Sequence, residues 1–282
     1  MKKGINIWSF PDGKPILECA RLAKKAGFEG IELSLNESGE LGLETTEQEA
    51  LALRDQITEM GLEISGLATG LYWAHWMTSE SEATRTKAMD ICKKQLETAA
   101  ALGADTILVI PGAVGVDFIP DCDVVEYDKA YERAQECISR LAPYAEQTGV
   151  SIGIENVWNK FLLSPLEMRQ FIDSIDSPFV GAYFDVGNVV HSGYPEHWIR
   201  ILGSRIKKVH FKDYRRQAGG LHGFVDLLAG DVDYPAVMAA FKDIGYDGFA
   251  AAEMIPNYTH HTEQIIYNTS ASMDVILGRN IL

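Results

Sequence analysis

With 282 residues and 46% hydrophobic content the chain can bury a large core, and its length suits one (βα)8 barrel as well as two smaller domains. Its 25 basic and 40 acidic side chains leave a formal charge of -15, which disfavours broad contact with a nucleic-acid backbone or an anionic membrane. A small anionic substrate stays compatible, because a phosphate needs only a few local donors.

The opening MKKGINIWSFPDG contains an apolar segment too short and too polar for a signal peptide. No apolar run approaches the roughly 20 residues that span a bilayer, so a soluble cytoplasmic protein is expected. Strand one is read at Gly4 to Ser9, with Ile5 and Ile7 on one face and Asn6 and Trp8 on the other, and helix one at Ile16 to Ala26. Strand two is Gly30 to Leu35. Helix two, Glu47 to Met60, is opened by Thr46 with Glu49 following, a capping-box pattern. Strand three is Glu63 to Ala68. The loop Thr69 to Thr78 carries Tyr72, Trp73, His75 and Trp76, and a long helix then runs from Ser81 to the residue before Gly103. Strand four, Thr106 to Ile110, leads through a long loop to Glu126 and a helix reaching Gln147.

Strand five bears Glu155, and Ser164, Pro165 and Glu167 supply N-cap, first-turn Pro and capping acid for the next helix. Strand six ends at Asp185, a shorter helix covers Glu196 to Leu202, and strand seven reaches His210. Lys212 to Asp231 reads as a long loop rich in Gly and charge. Tyr234 to Ile244 is helical, strand eight ends at Glu253, and a last helix falls within Thr262 to Leu277. That gives eight strands and eight helices. No Pro, Ser or Gly tract divides them, so residues 1–282 form one domain. A repeated junction fixes the architecture: in KKAGFEGIELSL, TEMGLEISGLA, AALGADTILVI, EQTGVSIGIE and KDIGYDGFAAAE a helical segment ends in Gly just before an apolar strand. Gly past a helix end relieves a left-handed backbone, and its recurrence indicates right-handed βα units closing into a TIM barrel. The cysteines Cys19, Cys92, Cys122 and Cys137 lack CxxC spacing and read as free thiols.

Four apolar runs between Ser151 and Glu253 end on groups able to bind a divalent metal: SIGIEN at Glu155, GAYFDVGN at Asp185, IKKVHFKD at His210 and GFAAAEM at Glu253. Such distant residues meet only as neighbouring strands of one sheet, at the mouth where barrels place their chemistry. Their parity agrees, because Ile152, Ile154, Ala182, Phe184, Val209, Ala250 and Ala252 fall on the opposite face, toward the helices. Three carboxylates and an imidazole favour Mn2+, with Mg2+, Co2+ or Zn2+ as the other fits. No organic cofactor is expected. A metal-chelated carbonyl acidifies the neighbouring C–H, so one glutamate can remove that proton and the other return it from the opposite face. Glu32 ends strand two facing the mouth and is expected to hydrogen-bond a ligand. Trp8, Trp76 and Trp158 sit where rings stack on sugars, and Lys212, Arg215 and Arg216 form a local cluster of positive charge suited to phosphate. His75, His191 and His222 are loop histidines without assigned partners, and His260 and His261 are expected on the surface.

The series IEN, FDVGN, HFKD, GDVDY and AAEM resembles the metal-dependent sugar phosphate isomerase/epimerase superfamily of xylose-isomerase-like barrels over nearly the whole chain. DVGN and HFKD look more like its L-ribulose-5-phosphate or L-xylulose-5-phosphate 3-epimerase branch than like the free-ketose 3-epimerases. The resemblance implies that Glu155, Asp185, His210 and Glu253 hold the metal, that Glu155 and Glu253 are the acid/base pair, and that the partner is a small-molecule sugar or sugar phosphate. It also implies a homodimer or homotetramer. Where free-ketose 3-epimerases place a His after the metal Asp and a second Glu after strand five, this chain has Asn188 and the apolar Phe161 and Leu162. Asn188 thereby joins the candidate substrate contacts. An inosose or dehydroshikimate-type dehydratase uses a similar barrel and also begins by proton abstraction beside a carbonyl. An apurinic endonuclease of the same superfamily needs a three-metal cluster with more histidines and a basic groove, against the seven His and acidic balance here. A sugar-binding barrel without turnover has little reason to keep both glutamates.

Overall fold

Gly27, Gly61, Gly103, Gly149 and Gly245, the glycines of the five repeated junctions, all take positive φ in the computed structural model, which describes residues 1–279. Each returns the chain from a helix to a new parallel strand. In chain order the first half comprises β1 (Lys2–Asn6), α1 (Ile16–Lys25), β2 (Gly30–Ser34), α2 (Glu47–Glu59), β3 (Glu63–Ala68), α3 (Glu82–Leu102), β4 (Thr106–Val109) and α4 (Tyr127–Thr148). There follow β5 (Ser151–Glu155), α5 (Pro165–Ile175), β6 (Val180–Asp185), α6 (Val186–Val190), α7 (Pro195–Leu202) and β7 (Ile206–Phe211). The last elements are β8 (Asp213–Tyr214), β9 (Phe224–Val225), α8 (Tyr234–Asp243), β10 (Phe249–Ala252) and α9 (Gln264–Ile276). β1 to β7 and β10 close a parallel barrel in sequence order, with β1 paired to both β2 and β10. The fold is the (βα)8 TIM barrel.

Local chemistry sets the helix starts as read. Thr46 and Glu49 complete a capping box on α2, and the Ser164 side chain caps α5 while Glu167 reaches back to the Leu163 amide at 2.8 Å. The strand residues facing away from the mouth ligands, Ile152, Ile154, Ala182, Phe184, Val209, Ala250 and Ala252, are all buried in the main core. Cys19, Cys92 and Cys137 are buried on helices, and Cys122 is half-buried in a loop.

Four details differ from the sequence reading. β1 stops at Asn6, whose side-chain oxygen accepts from the Trp8 amide at 2.7 Å and turns Ile7–Ser9 into a 3-10 helix. Trp8 is therefore delivered by a capped turn rather than by strand alternation. Asp185 caps an additional short helix, α6, through the Asn188 amide at 2.7 Å. The stretch after β7 is an ordered excursion, in which β8 and β9 pair antiparallel. The buried Asp213 carboxylate gathers it, accepting from the amides of Tyr214, Leu228, Gly230 and Val232. Finally, β10 ends at Ala252, so Glu253 lies one residue past the strand, its amide bonded to the Phe211 carbonyl at 3.1 Å.

Inside the barrel, Tyr183 fills the space that Gly66 and Gly153 leave open. A Cβ on Gly153 would lie 2.8 Å from the Tyr183 ring, and one on Gly66 would lie 2.8 Å from its hydroxyl. Gly153→Ala is expected to overpack this layer and lower unfolding free energy by about 1–3 kcal/mol. A urea titration checks it, and an unchanged midpoint would contradict this role for the glycine.

Candidate metal centre

Parallel register brings the mouth residues level. Asp185 on β6 stands beside His210 on β7, and His210 is also the neighbour of Ala251 on β10, two residues before Glu253. Glu155 ends β5 and pairs with Tyr183, two residues before Asp185 on β6. The result is a buried group in which one ligand atom from each of Glu155, Asp185, His210 and Glu253 lies within 4.8 Å of all the others. His210 Nδ1 is 3.0 Å from Glu253 Oε2, 3.9 Å from Asp185 Oδ2 and 4.0 Å from Glu155 Oε1.

The other nitrogen of His210 fixes how the ring is used. Nε2 lies 2.6 Å from Glu32 Oε2, and the same carboxylate accepts from Asn6 Nδ2 at 2.7 Å and from the Tyr183 hydroxyl. A fully buried carboxylate with only donors around it takes the Nε2 proton as a donor as well. With a cation present Nδ1 would therefore turn its lone pair toward the cluster, the orientation a metal-ligating imidazole needs, whereas without one Glu32 and Glu253 overcome the effect of burial, raise the imidazole well above its ordinary pKa and leave it protonated.

The donor set passes a test of fit to a divalent cation. Asp185 Oδ2, His210 Nδ1 and Glu253 Oε2 are all buried without a hydrogen-bond partner. Buried polar atoms are normally satisfied, and three orphans aimed at one small volume are accounted for by a shared cation. Lys212 supplies the local positive charge, with Nζ 2.7 Å from Glu253 Oε2 and 3.1 Å from Asp185 Oδ2. Neither approach has the alignment of a hydrogen bond, which agrees with the orphaned oxygens.

Without a cation the two glutamates are driven apart. Burial, reinforced by the Glu253 and Asp185 carboxylates and opposed by Lys212, lifts the Glu155 carboxyl to about 8. Burial also works to raise Glu253, but the Lys212 ammonium and His210 outweigh it and hold that carboxyl at about 2. Burial, reinforced by the Glu253 carboxylate, raises Asp185 against Lys212 and His210.

Above the cluster opens a cavity of about 630 Å3 bordered by Glu155, Glu253 and Lys212. Trp8, Trp73, Phe118, Trp158 and Phe224 form its aromatic walls. Of the residues singled out from sequence, Trp8, Trp158, Asn188 and Lys212 are thus brought to the four acid and imidazole groups. Asn188 Nδ2 approaches Glu155 Oε1 at 3.5 Å and donates to the Asn156 carbonyl at 3.0 Å. Trp158 Nε1 donates to the Asn188 carbonyl at 2.9 Å, which fixes the ring.

The cluster of positive charge expected from Lys212, Arg215 and Arg216 does not form. Arg215 donates to the Ala229 carbonyl at 2.9 Å, and Arg216 to the Val190 carbonyl at 2.9 Å while lying over the Tyr194 ring. Both are exposed and neither borders the cavity. A backbone carbonyl in the excursion, Ala229, and one at the end of α6, Val190, claim their guanidinium groups. Trp76 packs in a small core cluster with Ala113 and Val116 rather than facing the cavity, and Trp73 takes the mouth position instead. His191 and His222 border an adjoining cavity, His75 is half-buried outside both, and His260 and His261 are exposed. Tyr183 and Asn156 escaped the sequence reading. Asn156 clasps the Asp185 backbone, donating to its carbonyl at 2.8 Å and accepting from its amide at 2.9 Å, and the IEN run was its only signal.

A closed parallel barrel with acid and imidazole ligands gathered at the C-terminal ends of its strands defines a class of metal-site TIM barrels. The chain belongs to the xylose isomerase-like TIM barrel family, whose match spans residues 20–272. Among its relatives, the L-ribulose-5-phosphate 3-epimerase UlaE of Salmonella paratyphi C is 24% identical over 258 residues, covering 89% of this chain and 86% of the relative. The structure of a D-psicose 3-epimerase in the presence of D-fructose superposes with a TM-score of 0.78 at 19% identity, covering 99% of this chain and 97% of that one. The IOLI protein with a binding zinc atom superposes with a TM-score of 0.80 at 15% identity, covering 99% of each chain. No helix among the described residues is long and apolar enough to cross a membrane.

Cation uptake requires ionised carboxylates, and Glu155 holds its proton up to about pH 8. Burial works to lower the His210 imidazole, but Glu32 and Glu253 raise it well above its ordinary pKa, so binding of Mn2+ at pH 7 is expected to release about two protons, one from Glu155 and one from His210, and affinity to fall as pH drops below 8. Calorimetry in two buffers of different ionisation enthalpy reads the proton count, and a buffer-independent heat would contradict it. Glu32→Gln, which disturbs the hydrogen bond that orients His210, is expected to weaken Mn2+ binding by about 10- to 100-fold.

Proposed function

We propose that the protein is a divalent-metal-dependent sugar isomerase/epimerase acting beside the carbonyl of a ketose or ketose phosphate, with C3 epimerisation as its reaction. The observation that carries this reading is the burial of two glutamates with one aspartate and one histidine around a single point, beneath an aromatic cavity. Among the fits, Mn2+ is favoured because the donors are three carboxylates and one imidazole. When bound, the ion would polarise the substrate's carbonyl and adjacent hydroxyl oxygens and so acidify the neighbouring C–H.

The chain's own residues do the rest. Glu155 and Glu253 each keep one carboxylate oxygen for proton transfer: one, ionised, removes the proton beside the carbonyl, and the other, having taken a proton from solvent, delivers it to the opposite face, after which exchange with solvent restores both. The electron pair of the broken C–H bond passes into an enediolate and returns on reprotonation. Lys212, poised between Asp185 and Glu253, offers its ammonium to the negative charge that develops on the substrate oxygens. Trp8, Trp73 and Trp158 give the apolar sugar face a surface to stack on and keep water from the carbanion-like intermediate. Hydrogen bonds from Asn188 near Glu155 help to hold that carboxylate in place.

The family and the relatives' names support a sugar epimerase, and the name of UlaE supports a phosphorylated pentulose. The placement of Arg215 and Arg216 does not add to the phosphate reading. Arg215→Ala and Arg216→Ala are accordingly expected to leave the ratio of phosphate-ester to free-ketose turnover within about twofold, because neither guanidinium borders the cavity. A large, phosphate-selective loss in either variant would reinstate them as phosphate ligands.

Glu155→Gln and Glu253→Gln are each expected to reduce turnover by about 10²- to 10⁴-fold with circular dichroism unchanged. In D2O, substrate recovered from the native enzyme gains deuterium at the carbon next to the carbonyl. Product formed without solvent deuterium would point to a hydride shift and remove both glutamates from their roles.

A further inference from the structure

Asp185 is the last residue of β6, and its backbone needs partners that the sheet does not supply. A strand residue turns its N–H and C=O to the same side, and on the β5 side the ladder ends at the pair of Glu155 with Tyr183. Buried backbone groups left unpaired are costly. Asn156, the residue after the Glu155 ligand, closes the gap with its side chain. Its Nδ2 donates to the Asp185 carbonyl at 2.8 Å, and its Oδ1 accepts from the Asp185 amide at 2.9 Å. An amide carries a donor and an acceptor side by side, a pairing that neither an ionised Asp nor a short Ser reproduces. The Asn156 carbonyl in turn accepts from Asn188 Nδ2 at 3.0 Å, so the clasp is itself held.

The backbone fixed in this way decides how the Asp185 carboxylate is divided. Oδ1 accepts from the Asn188 amide at 2.7 Å as the cap of α6. Oδ2 remains a buried oxygen without a hydrogen bond, 3.9 Å from His210 Nδ1. Asp185 can therefore offer a cation one oxygen and not two. The clasp does for Asp185 what Glu32 does for His210, settling which atom faces the cluster. Asn156 is not one of the four donor groups and does not border the cavity above them, so any effect it has on the centre passes through its neighbours.

The number of oxygens a carboxylate can give separates divalent ions. Ca2+ takes about six to eight oxygens and accepts carboxylates through both atoms, whereas Mg2+ and ions of similar size demand a tighter, near-octahedral set. We propose that Asn156 is a positioning residue that restricts Asp185 to a single ligating oxygen and thereby makes the centre select a small octahedral ion against Ca2+. This rests on the metal-dependent reading above and adds to it the class of ion the centre rejects and the residue that causes the rejection. Released from the clasp, the Asp185 backbone can shift, the cap on α6 loosens, and Oδ1 becomes free to ligate. A large cation then recovers through the second oxygen part of what a small one loses. A clasp that merely joined β5 to β6 would instead weaken both ions alike.

The test is calorimetric titration of the metal-stripped protein with Mn2+ and with Ca2+. The native protein is expected to bind Mn2+ about 100-fold more tightly than Ca2+. Asn156→Ala is expected to weaken Mn2+ binding by about 10- to 100-fold and to lower the preference for Mn2+ over Ca2+ by about tenfold. Should that variant fold poorly by circular dichroism, Asn156→Ser, whose hydroxyl reaches at most one of the two Asp185 groups, is titrated in its place with the same shift in preference expected. Equal losses for the two ions, or a native protein that takes Ca2+ as tightly as Mn2+, overturns the role of Asn156 and leaves the metal-dependent epimerase reading standing. A native protein that binds neither ion overturns both.

Discussion

The hydrogen bond between Glu32 and His210 is the constraint on which the candidate metal centre depends. An imidazole can present either nitrogen, and only the acceptor at Glu32 makes Nδ1 the one left facing Asp185 and Glu253. Glu32 in turn is tolerable inside a barrel only because Asn6, Tyr183 and His210 all donate to it. Tyr183 reaches it only because two strands carry glycine at the level of the ring. The chain of dependence thus runs from two missing side chains, through a phenol and a carboxylate, to the lone pair of one nitrogen. It crosses the barrel from β3 and β5 to β7, so the geometry of the candidate metal centre is tied to the packing of the whole interior.

Much of this was legible in the sequence because two periodicities coincide. Glycine past each helix marks where a strand begins, and alternation along the strand then says which residue faces inward at its end. Glu155, Asp185 and His210 follow from that logic, and Glu32 with them. Glu253 follows despite lying just beyond β10, since one residue past a strand still has its neighbour's register. Trp8 reached the mouth by a different route, a side-chain cap that ends β1 early, so the residue was right and the strand too long. The misses share a cause. Arg215 and Arg216 are close to Lys212 in sequence, but direction in a loop is set by which carbonyls lack partners, and that depends on turns the sequence does not display. Trp73 and Trp76 are separated by one turn of irregular backbone, and only the surrounding packing decides which one faces the cavity. α6 and the β8–β9 pair are too short for any hydrophobic period to show.

Charge organises the site at short range while the surface charge is nearly irrelevant to it. The protein is strongly acidic overall, yet the mouth concentrates three buried carboxylates around one lysine and one imidazole. Burial in this poorly solvated space, reinforced by the neighbouring carboxylates, pushes Glu155 up, whereas Lys212 and His210 lie close enough to Glu253 to overcome its burial and hold it down. The aromatic walls sharpen this by excluding water, so the same residues that suit a sugar also strengthen the electrostatics beneath it. Substrate recognition and proton affinity are therefore not independently adjustable in this fold.

Asp213 separates two kinds of residue in the excursion after β7. By collecting the amides of Tyr214, Leu228, Gly230 and Val232 it ties both ends of the segment together at its base, directly after Lys212. The tip, with Leu221 and His222 against the cavities, lies beyond that knot. Insertions, deletions and substitutions at the tip can then accumulate without moving the lysine or the histidine. The knot makes the excursion a module for divergence: the wall beside the cavities can be exchanged while the buried group of Glu155, Asp185, His210 and Glu253 stays in place.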